Sequence, residues 1–297
     1  MNIANLFQSK KIVYSLEVFP PKKTSSVDTI YNTLYGLRGL PADFISVTYG
    51  AGGSDTQRSK TCEIASLIKS EYQIEPVSHL TCLNSTKEDI RQTLDSLKAN
   101  GIQNILALRG DKGPAVTPKN DFTHANELAE FIKAYDPSFN VLGACYPECH
   151  CDSETIDQDI ENLKLKIEAG ASHLITQLFF NNNHFYEFMD KAIQKGITVP
   201  ISAGIMPIIN KSQIERTVSM CGASLPRAFS TMINKYADDP QALKDAGIAY
   251  AVNQIIDLIS NDVRGIHLYT MNNVETASRI TESIENIIKS QNRITKR

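Results

Sequence analysis

Short runs of β-branched and aromatic residues alternate along the whole chain with longer segments in which apolar residues recur at helical spacing. Such short runs, when turn residues bound them, predict strands, and the longer periodic segments predict helices. Ser85 and Thr86 precede one such helical segment, and Asn100 and Gly101 end it. The predicted strands cover residues 12–19, 44–49, 76–82, 104–110, 141–146, 173–179, 199–205 and 265–271.

The intervals between the predicted strands have the length of a crossover connection, which makes neighbouring strands parallel. Only the interval from 205 to 265 is long, and helices are predicted in it at 212–220, 225–236 and 241–259. We therefore predict an α/β fold, a (β/α)8 TIM barrel with extra helices inserted before strand eight, as one domain over residues 1–297. An open, doubly wound sheet is the alternative.

Charge and composition narrow the possible partners. The chain has 30 Lys+Arg against 33 Asp+Glu, a formal net charge of −3, so the basic excess that nucleic acids and anionic membranes attract is missing. No apolar stretch reaches the roughly 20 residues of a membrane span, and the first residues do not form a signal peptide. We expect a cytoplasmic protein with no nucleic-acid or membrane partner. Six cysteines are too few for a disulfide framework, and Cys62, Cys82 and Cys221 are expected to be small buried hydrophobes.

The carboxyl ends of the strands are where barrel enzymes place their active sites. In strand one the period of two places Val13, Ser15 and Glu17 on the inward face, and Phe19 with two following prolines ends the strand. Glu17 is predicted to be a general acid among apolar neighbours, where the pKa of a carboxyl rises. The alternative is an ion pair with a Lys or Arg at the rim.

A glycine-rich turn, residues 50–54, follows strand two. The dinucleotide fingerprint G-x-G-x-x-G fails there, because Asp55 occupies the position of the third glycine. The turn either lets the backbone approach a ligand or is only a tight turn. His79 lies in strand three, and an amide side chain, Gln177, lies in the predicted sixth strand, two residues before its end.

Two further strand ends carry polar clusters. Arg109-Gly110-Asp111 ends strand four and sets a guanidinium and a carboxylate over the barrel mouth. The alternative is an ion pair that ties a loop. Cys149-His150-Cys151 follows strand five, but three adjacent residues do not easily converge on one tetrahedral ion, so no metal is expected. The strand ends carry no lysine for a Schiff base, and no nucleophile-elbow triad is present.

Seven sequence blocks at these strand ends together resemble the methylenetetrahydrofolate reductase family, in the same order and over nearly the whole chain. The resemblance implies an FAD-dependent barrel that reduces 5,10-methylenetetrahydrofolate to 5-methyltetrahydrofolate by ping-pong hydride transfer from NADH or NADPH, in one-carbon metabolism and methionine synthesis. It also implies the short bacterial form without the S-adenosylmethionine-sensing domain, and a homo-oligomer. The blocks are Ser15-Leu16-Glu17-Val18-Phe19-Pro20-Pro21, residues 46–50, His79-Leu80-Thr81-Cys82, residues 106–111, Tyr146-Pro147-Glu148-Cys149-His150, Ile175-Thr176-Gln177 and Gly204-Ile205-Met206-Pro207.

The resemblance also assigns roles to single residues. It makes Glu17 the general acid and Asp111 the carboxylate beside flavin and pterin, both touching folate together with Thr48, Gln177 and Gln213. The residues that match FAD contacts are Thr48, Tyr49, Ala51, His79, Arg109, Gly110, Asp111, Ala125, Tyr146, His150, Asp159, Asn162 and Lys166. Three of these, Asp159, Asn162 and Lys166, recur at spacings of three and four on a predicted helix and so share one face. Without the resemblance, that face would be read as a solvated helix surface.

Four positions depart from the family pattern. Asn273 stands where an arginine commonly contacts folate, and Thr217 stands where an aromatic residue is common. His124 and Leu165 replace a tyrosine and an arginine beside FAD contacts. We expect these changes to alter ligand affinity but not the reaction type. Two other functions remain open, a folate-binding methyltransferase barrel without flavin and a barrel retained for binding without catalysis.

Overall fold

The computed structural model describes residues 1–21, 28–49, 55–111 and 118–294 of the chain. Within these residues, eight parallel strands close into a barrel in chain order, and the last strand pairs with the first. The closed barrel confirms the predicted fold and excludes the open sheet. The strands are β1 (Val13–Val18), β2 (Phe44–Val47), β3 (Glu75–Thr81), β4 (Asn104–Leu108), β5 (Asn140–Cys145), β6 (Ala171–Thr176), β7 (Ile201–Ile205) and β8 (Gly265–Tyr269).

Helices surround the barrel, and three of them lie between β7 and β8, as the long interval predicts. A short 3-10 turn (Ile3–Asn5) precedes the first helix. The helices are α1 (Leu6–Ser9), α2 (Asp28–Leu37), α3 (Asp55–Glu71), α4 (Lys87–Ala99), α5 (Ala125–Tyr135), α6 (Ile156–Glu168), α7 (Asn182–Gln194), α8 (Lys211–Cys221), α9 (Arg227–Tyr236), α10 (Pro240–Ser260) and α11 (Val274–Ile294). None of the described helices is both long and apolar enough to cross a membrane.

Most strands end one to three residues earlier than the apolar runs suggest. The run at 173–179 is the clearest case, because β6 ends at Thr176 and the apolar residues beyond it pack on helices. Phe179 stacks on Phe185 of α7, and Phe180 stacks on Phe229 of α9 with ring centroids 4.4 Å apart. The chain therefore leaves the sheet while it is still apolar, which hydrophobicity alone does not reveal.

Alternation along β1 follows the predicted faces. Val13 packs inside the barrel, whereas Tyr14, Leu16 and Val18 pack outward in the cluster that joins the strands to the helices. The same inner position on other strands carries apolar residues that fill the amino-terminal end of the barrel, namely Phe44, Val77, Leu106, Leu142 and Ile175. Above this apolar layer the inward positions become polar, beginning with Ser15.

The first residues of the chain plug the amino-terminal end of the barrel. Ile3, Leu6 and Phe7 join the apolar cluster inside it, and the N–H of Ile3 donates to the amide oxygen of Asn104 at the start of β4 (3.1 Å). The ring of Phe7 meets His173 of β6 edge-on, with centroids 4.8 Å apart. This plug separates the barrel core from water at the end opposite the strand carboxyl termini.

His173 lies fully buried within this plugged end. Its Nε2 is 2.9 Å from the hydroxyl of Ser202 on β7, and its Nδ1 has no hydrogen-bond partner. Burial, with a smaller contribution from His267 deeper in the barrel, lowers the pKa of His173 from 6.5 to about 3. The imidazole is therefore neutral at physiological pH.

The two ends of the described chain meet beside β1. Asn292 of α11 accepts a hydrogen bond from the N–H of Ile12 (2.8 Å) and donates one to its carbonyl (3.0 Å). The hydroxyls of Tyr14 and Thr281 lie 2.7 Å apart in the same helix–strand interface. Helix α11 thus completes the hydrogen bonding of the first strand.

The cysteines largely follow expectation. Cys62 and Cys82 are buried, whereas Cys221 is only half-buried. The prediction for Cys221 is therefore wrong, because this residue at the end of α8 packs against a smaller apolar cluster that buries it only in part.

Candidate active site

Polar side chains of four strands meet inside the carboxyl-terminal half of the barrel. Glu17 of β1 is the centre, and its Oε2 lies 3.2 Å from the Ser46 hydroxyl, 3.3 Å from Nε2 of His267 and 3.4 Å from Nε2 of His79. The Glu17 side chain is 16 % exposed, and that of His267 is fully buried. The barrel mouth therefore opens on a carboxylate held between two imidazoles.

The predicted environment of Glu17 is wrong. We expected apolar neighbours that raise the pKa of the carboxyl, or else a Lys or Arg partner, but histidines and a serine surround it. Burial raises the pKa of Glu17, and hydrogen bonding and charge from His267 and His79 together outweigh it, so the pKa falls from 4.5 to about 2. A proton available at neutral pH must consequently be held by the cluster rather than by an isolated carboxyl.

His267 and Ser46 were not predicted as site residues. The period of two along β8 places Gly265, His267 and Tyr269 on one face of the strand, and this pattern could have identified His267. Its contact with Glu17 joins residues 250 apart in the chain, so only closure of the barrel brings them together. Tyr269 follows on the same face and donates from its hydroxyl to the carbonyl of Thr176 (2.6 Å).

A cavity of about 590 Å³ lies at the carboxyl ends of β4 and β5. This cavity is lined by most of the predicted FAD contacts that follow the two strands. Their side chains are cationic, anionic, amide and aromatic. The lining includes Arg109, Ala125, Tyr146, His150, Asp159, Asn162 and Lys166, together with His124 and Leu165. Its volume falls in the range of small-molecule and cofactor sites. The shared face of α6 therefore borders a cavity and is not simply a solvated surface.

Asp159 organises the wall of this cavity. Its carboxylate is buried and accepts hydrogen bonds from the N–H of His150 (3.1 Å) and the hydroxyl of Ser153 (3.2 Å). Lys166, about two turns further along α6, donates to the carbonyl of Ala144 (2.8 Å) and lies 5.8 Å from the ring centre of Tyr146. Burial lowers the pKa of Lys166, with Asp159 opposing that shift. The helix and the loop after β5 are thereby fixed against each other.

Arg109 does not pair with Asp111. Its guanidinium reaches the next loop and binds Asp152 at 2.5 Å, so Arg109 does form an ion pair that ties a loop, with Asp152 as its partner. Gly110 has φ +90°, and a Cβ there would lie 3.2 Å from that of Thr81, which is the tight approach expected of this turn. The turn leaves Asp111 exposed at the mouth, within electrostatic range of Tyr146 and Cys221.

The predicted folate contacts lie on elements that end at the same mouth. Gln177 follows β6, and its side-chain oxygen accepts from the N–H of Leu178 (3.0 Å). Gln213 of α8 accepts from the N–H of Ile209 in the same way (2.9 Å). Thr48, just after β2, is half-buried, and Tyr49 beside it is buried. Ala51 and the rest of the glycine-rich turn lie outside the described residues.

The departures from the family pattern have distinct positions. Asn273 immediately precedes α11, and its side-chain oxygen accepts from the N–H of Thr276 (2.9 Å), so it caps the helix. Thr217 is buried on α8. His124 and Leu165 border the cavity, and both side chains are largely exposed. Two of the four departures are therefore on the cavity wall.

Three adjacent residues after β5 bring possible metal-ligating atoms near one another. The atoms of His150, Cys151 and Asp152 lie within 4.8 Å of one another, and Cys149, with φ +73°, turns the chain at this point. Our expectation of no metal concerned Cys149, His150 and Cys151, and it stays a prediction. Asp152 is, however, already engaged by Arg109, and His150 Nδ1 accepts from the N–H of Asp152 (3.0 Å).

Comparison with known proteins adds relatives and a fold neighbour. The family model described as methylenetetrahydrofolate reductase matches residues 2–285. The 5,10-methylenetetrahydrofolate reductases of Pectobacterium carotovorum and Escherichia coli are 33% and 32% identical over 92% of this chain, which spans 90% and 91% of their lengths. A Schizosaccharomyces pombe relative, methylenetetrahydrofolate reductase 1, is 33% identical over 93% of this chain, which spans only 46% of its length.

Among solved structures, an uncharacterized Clostridium thermocellum protein that binds two copies of 5-methyl-5,6,7,8-tetrahydrofolic acid has a TM-score of 0.70 at 14% identity. The alignment covers 97% of this chain and 99% of that chain. At this identity the likeness shows the shared barrel fold alone.

Proposed function

The chain belongs to the methylenetetrahydrofolate reductase family, and on that premise we propose that it reduces 5,10-methylenetetrahydrofolate to 5-methyltetrahydrofolate with FAD as cofactor and NADH or NADPH as reductant. The observation that carries this proposal is the Glu17 cluster at the barrel mouth, in which a carboxylate and two imidazoles are close enough to share a proton. Family membership further supports a single catalytic domain that acts in one-carbon metabolism, by a ping-pong sequence, as a homo-oligomer.

The cavity above β4 and β5 fits FAD by the chemistry of its lining. Arg109 and Lys166 supply positive charge for a pyrophosphate, Asp159 and Asn162 supply acceptors and donors for hydroxyl groups, and Tyr146 offers an aromatic face. His79 on β3 touches Glu17 and lies between that cavity and β1. When bound, FAD supplies the hydride that the nicotinamide has donated.

In the proposed reaction, Glu17 gives a proton to the folate. Opening the five-membered ring of 5,10-methylenetetrahydrofolate needs a proton on N10, after which the cationic iminium at N5 accepts a hydride and becomes the methyl group. Glu17 delivers that proton from inside the barrel. Asp111, exposed at the mouth, places a negative charge where the cation forms. The NH2 groups of Gln177 and Gln213 hold the pterin by hydrogen bonds.

Replacing Glu17 by Gln tests the assignment. An amide is nearly isosteric but cannot release a proton, so we expect NADH to reduce the bound flavin normally while the folate half-reaction slows on the order of 10²-fold or more. Glu75→Gln at the opposite end of the barrel is the matched control, since its carboxylate pairs with the Met1 amine and Lys69. Near-normal folate turnover by the Glu17 variant would show that another group gives the proton.

Flavin content separates this function from the two alternatives. A folate-binding methyltransferase barrel would bind 5-methyltetrahydrofolate without FAD, and a non-catalytic barrel would show no turnover with either. We expect the purified protein to show flavin absorption or to bind added FAD. Protein that does neither would reject the reductase proposal outright.

A further inference from the structure

Besides two histidines, four charged side chains line the cavity at the carboxyl ends of β4 and β5, and their formal charges cancel. Arg109 and Lys166 are cationic, whereas Asp152 and Asp159 are anionic. Cations attract phosphate groups, and carboxylates repel them. The wall whose two cations fit the pyrophosphate of FAD therefore also contains two charges that oppose it.

The two carboxylates differ in how firmly the protein holds them. Asp159 is buried and accepts hydrogen bonds from the N–H of His150 and the hydroxyl of Ser153. The Asp152 side chain is 42 % exposed, and that of its partner Arg109 is 20 % exposed. An ion pair that water reaches in this way contributes little to stability. Water can therefore solvate the Asp152 carboxylate when another anion binds Arg109, whereas Asp159 stays in place.

Arg109 offers a ligand the same N–H groups that bind Asp152. Its Nη1 donates to Oδ2 of Asp152 at 2.5 Å, and its Nε donates to the carbonyl of Gly110 at 3.4 Å. A guanidinium binds carboxylates and phosphates with the same planar fork of donors. A pyrophosphate in this cavity and the Asp152 carboxylate are therefore competitors for one cation.

We propose that Asp152 is an internal counter-ion that competes with the phosphates of FAD for Arg109 and thereby accelerates release of the cofactor. This inference rests on the proposed function, because it takes FAD as the ligand. As the phosphates leave, the carboxylate binds the guanidinium in their place, so the cation does not lose its partner. One ion pair replaces another, and no covalent bond changes. The charge of Asp152 thus sets how readily FAD exchanges.

Asp152→Asn separates this role from a purely structural one. The amide keeps an oxygen that accepts a hydrogen bond from Arg109, but it lacks the negative charge. If Asp152 competes with FAD, the variant should release FAD more slowly, by about tenfold, since changes in affinity appear mainly in the dissociation rate. If Asp152 only orients the guanidinium for FAD, the variant should release FAD faster.

Dilution of the flavin-loaded holoenzyme, followed by the return of flavin fluorescence, measures the release rate without any turnover. Asp157→Asn is the matched control, because it changes the net charge equally on the first turn of α6. The Asp157 side chain is 65 % exposed, lies 3.9 Å from Lys191 of α7 and is outside the cavity lining. We expect this control to release FAD at the wild-type rate. Equal slowing in both variants would overturn the proposal, as would unchanged or faster release from Asp152→Asn.

Ionic strength tests whether the charge of Asp152 is responsible. In 1 M salt the screening length falls to about 3 Å, so the difference between wild type and Asp152→Asn should shrink from about tenfold to about twofold. A difference that stays the same in 1 M salt would show that packing or hydrogen bonding causes it, and the counter-ion role would be rejected.

Failure of this inference is distinguishable from failure of the proposed function. Wild-type protein that holds no FAD would reject the reductase proposal, and the counter-ion with it. FAD that leaves Asp152→Asn at the wild-type rate would reject the counter-ion alone and would leave the proposed reaction unaffected.

Discussion

His173 in the plugged end of the barrel should make the protein sensitive to mild acid. The folded protein holds this imidazole neutral, because burial lowers its pKa from 6.5 to about 3. In the unfolded chain the same side chain takes up a proton near pH 6.5. Below pH 6.5 the unfolded state therefore binds more protons, and the free energy of unfolding falls as the pH falls.

The size of this effect follows from the two pKa values. Between pH 8 and pH 5, the unfolded state is stabilised by protonation over about 1.5 pH units, whereas the folded state binds no proton at this imidazole. At 1.36 kcal/mol per unit, the free energy of unfolding therefore falls by about 2 kcal/mol. His173→Gln removes the titration. The variant also loses the contact with Ser202, so we expect its free energy of unfolding to be lower than that of the wild type at pH 8. By pH 5 most of this difference should have disappeared, because only the wild type loses stability through His173.

Equilibrium urea unfolding of both proteins with saturating FAD, followed by circular dichroism at pH 8, 6.5 and 5, measures the difference. Ser202→Ala is the control, since it disrupts the same hydrogen bond but keeps the imidazole, and its stability should fall with pH in parallel with the wild type. A gap between wild type and His173→Gln that stays constant from pH 8 to pH 5 would refute the reasoning.

Three further changes have definite expected outcomes. Gly247→Ala on α10 places a Cβ 1.8 Å from the carbonyl oxygen of Ile208, so thermal unfolding should occur about 5 °C lower or more, and an unchanged midpoint would contradict this close approach. Asp159→Asn weakens the hydrogen bonds that hold the loop after β5, and the FAD dissociation constant measured by fluorescence quenching should rise about tenfold. A dissociation constant equal to that of the wild type would mean that FAD binds elsewhere. Asp111→Asn should raise the flavin midpoint potential in spectroelectrochemical titration and slow the folate half-reaction, because it removes a negative charge near the reduced flavin, whereas Glu17→Gln should leave the potential nearly unchanged. Equal potentials for Asp111→Asn and the wild type would leave that carboxylate without a role at the flavin.

The barrel could be predicted because its signals are local. Each strand and helix is marked by its own periodicity and by turn residues, and the order of eight such units leaves few arrangements. The inward direction of Glu17 followed from the same period of two. Strand ends were less predictable, as at Phe179, because an apolar side chain packs equally well on a sheet or on a helix.

The surroundings of Glu17 could not be predicted, because they depend on side chains distant in the chain. Ser46, His79 and His267 come from three other strands, and their distances to Glu17 depend on the stagger of the closed sheet. The partner of Arg109 is a similar case. Its nearest acid in sequence is Asp111, but the positive φ of Gly110 turns the chain, and Asp152 of the neighbouring loop takes the guanidinium instead.

The pairing of Ile12 with Asn292 has a consequence for how the protein is made. A ribosome adding about 5–20 residues per second needs on the order of 15–60 s to go from β1 to the end of α11. During that time the edge of β1 that later pairs with β8 is open, and the backbone groups of Ile12 do not yet have Asn292 as a partner. An open strand edge is a template for pairing with other chains. The nascent barrel is therefore most exposed to aggregation, and most in need of a chaperone, until its last helix has left the exit tunnel.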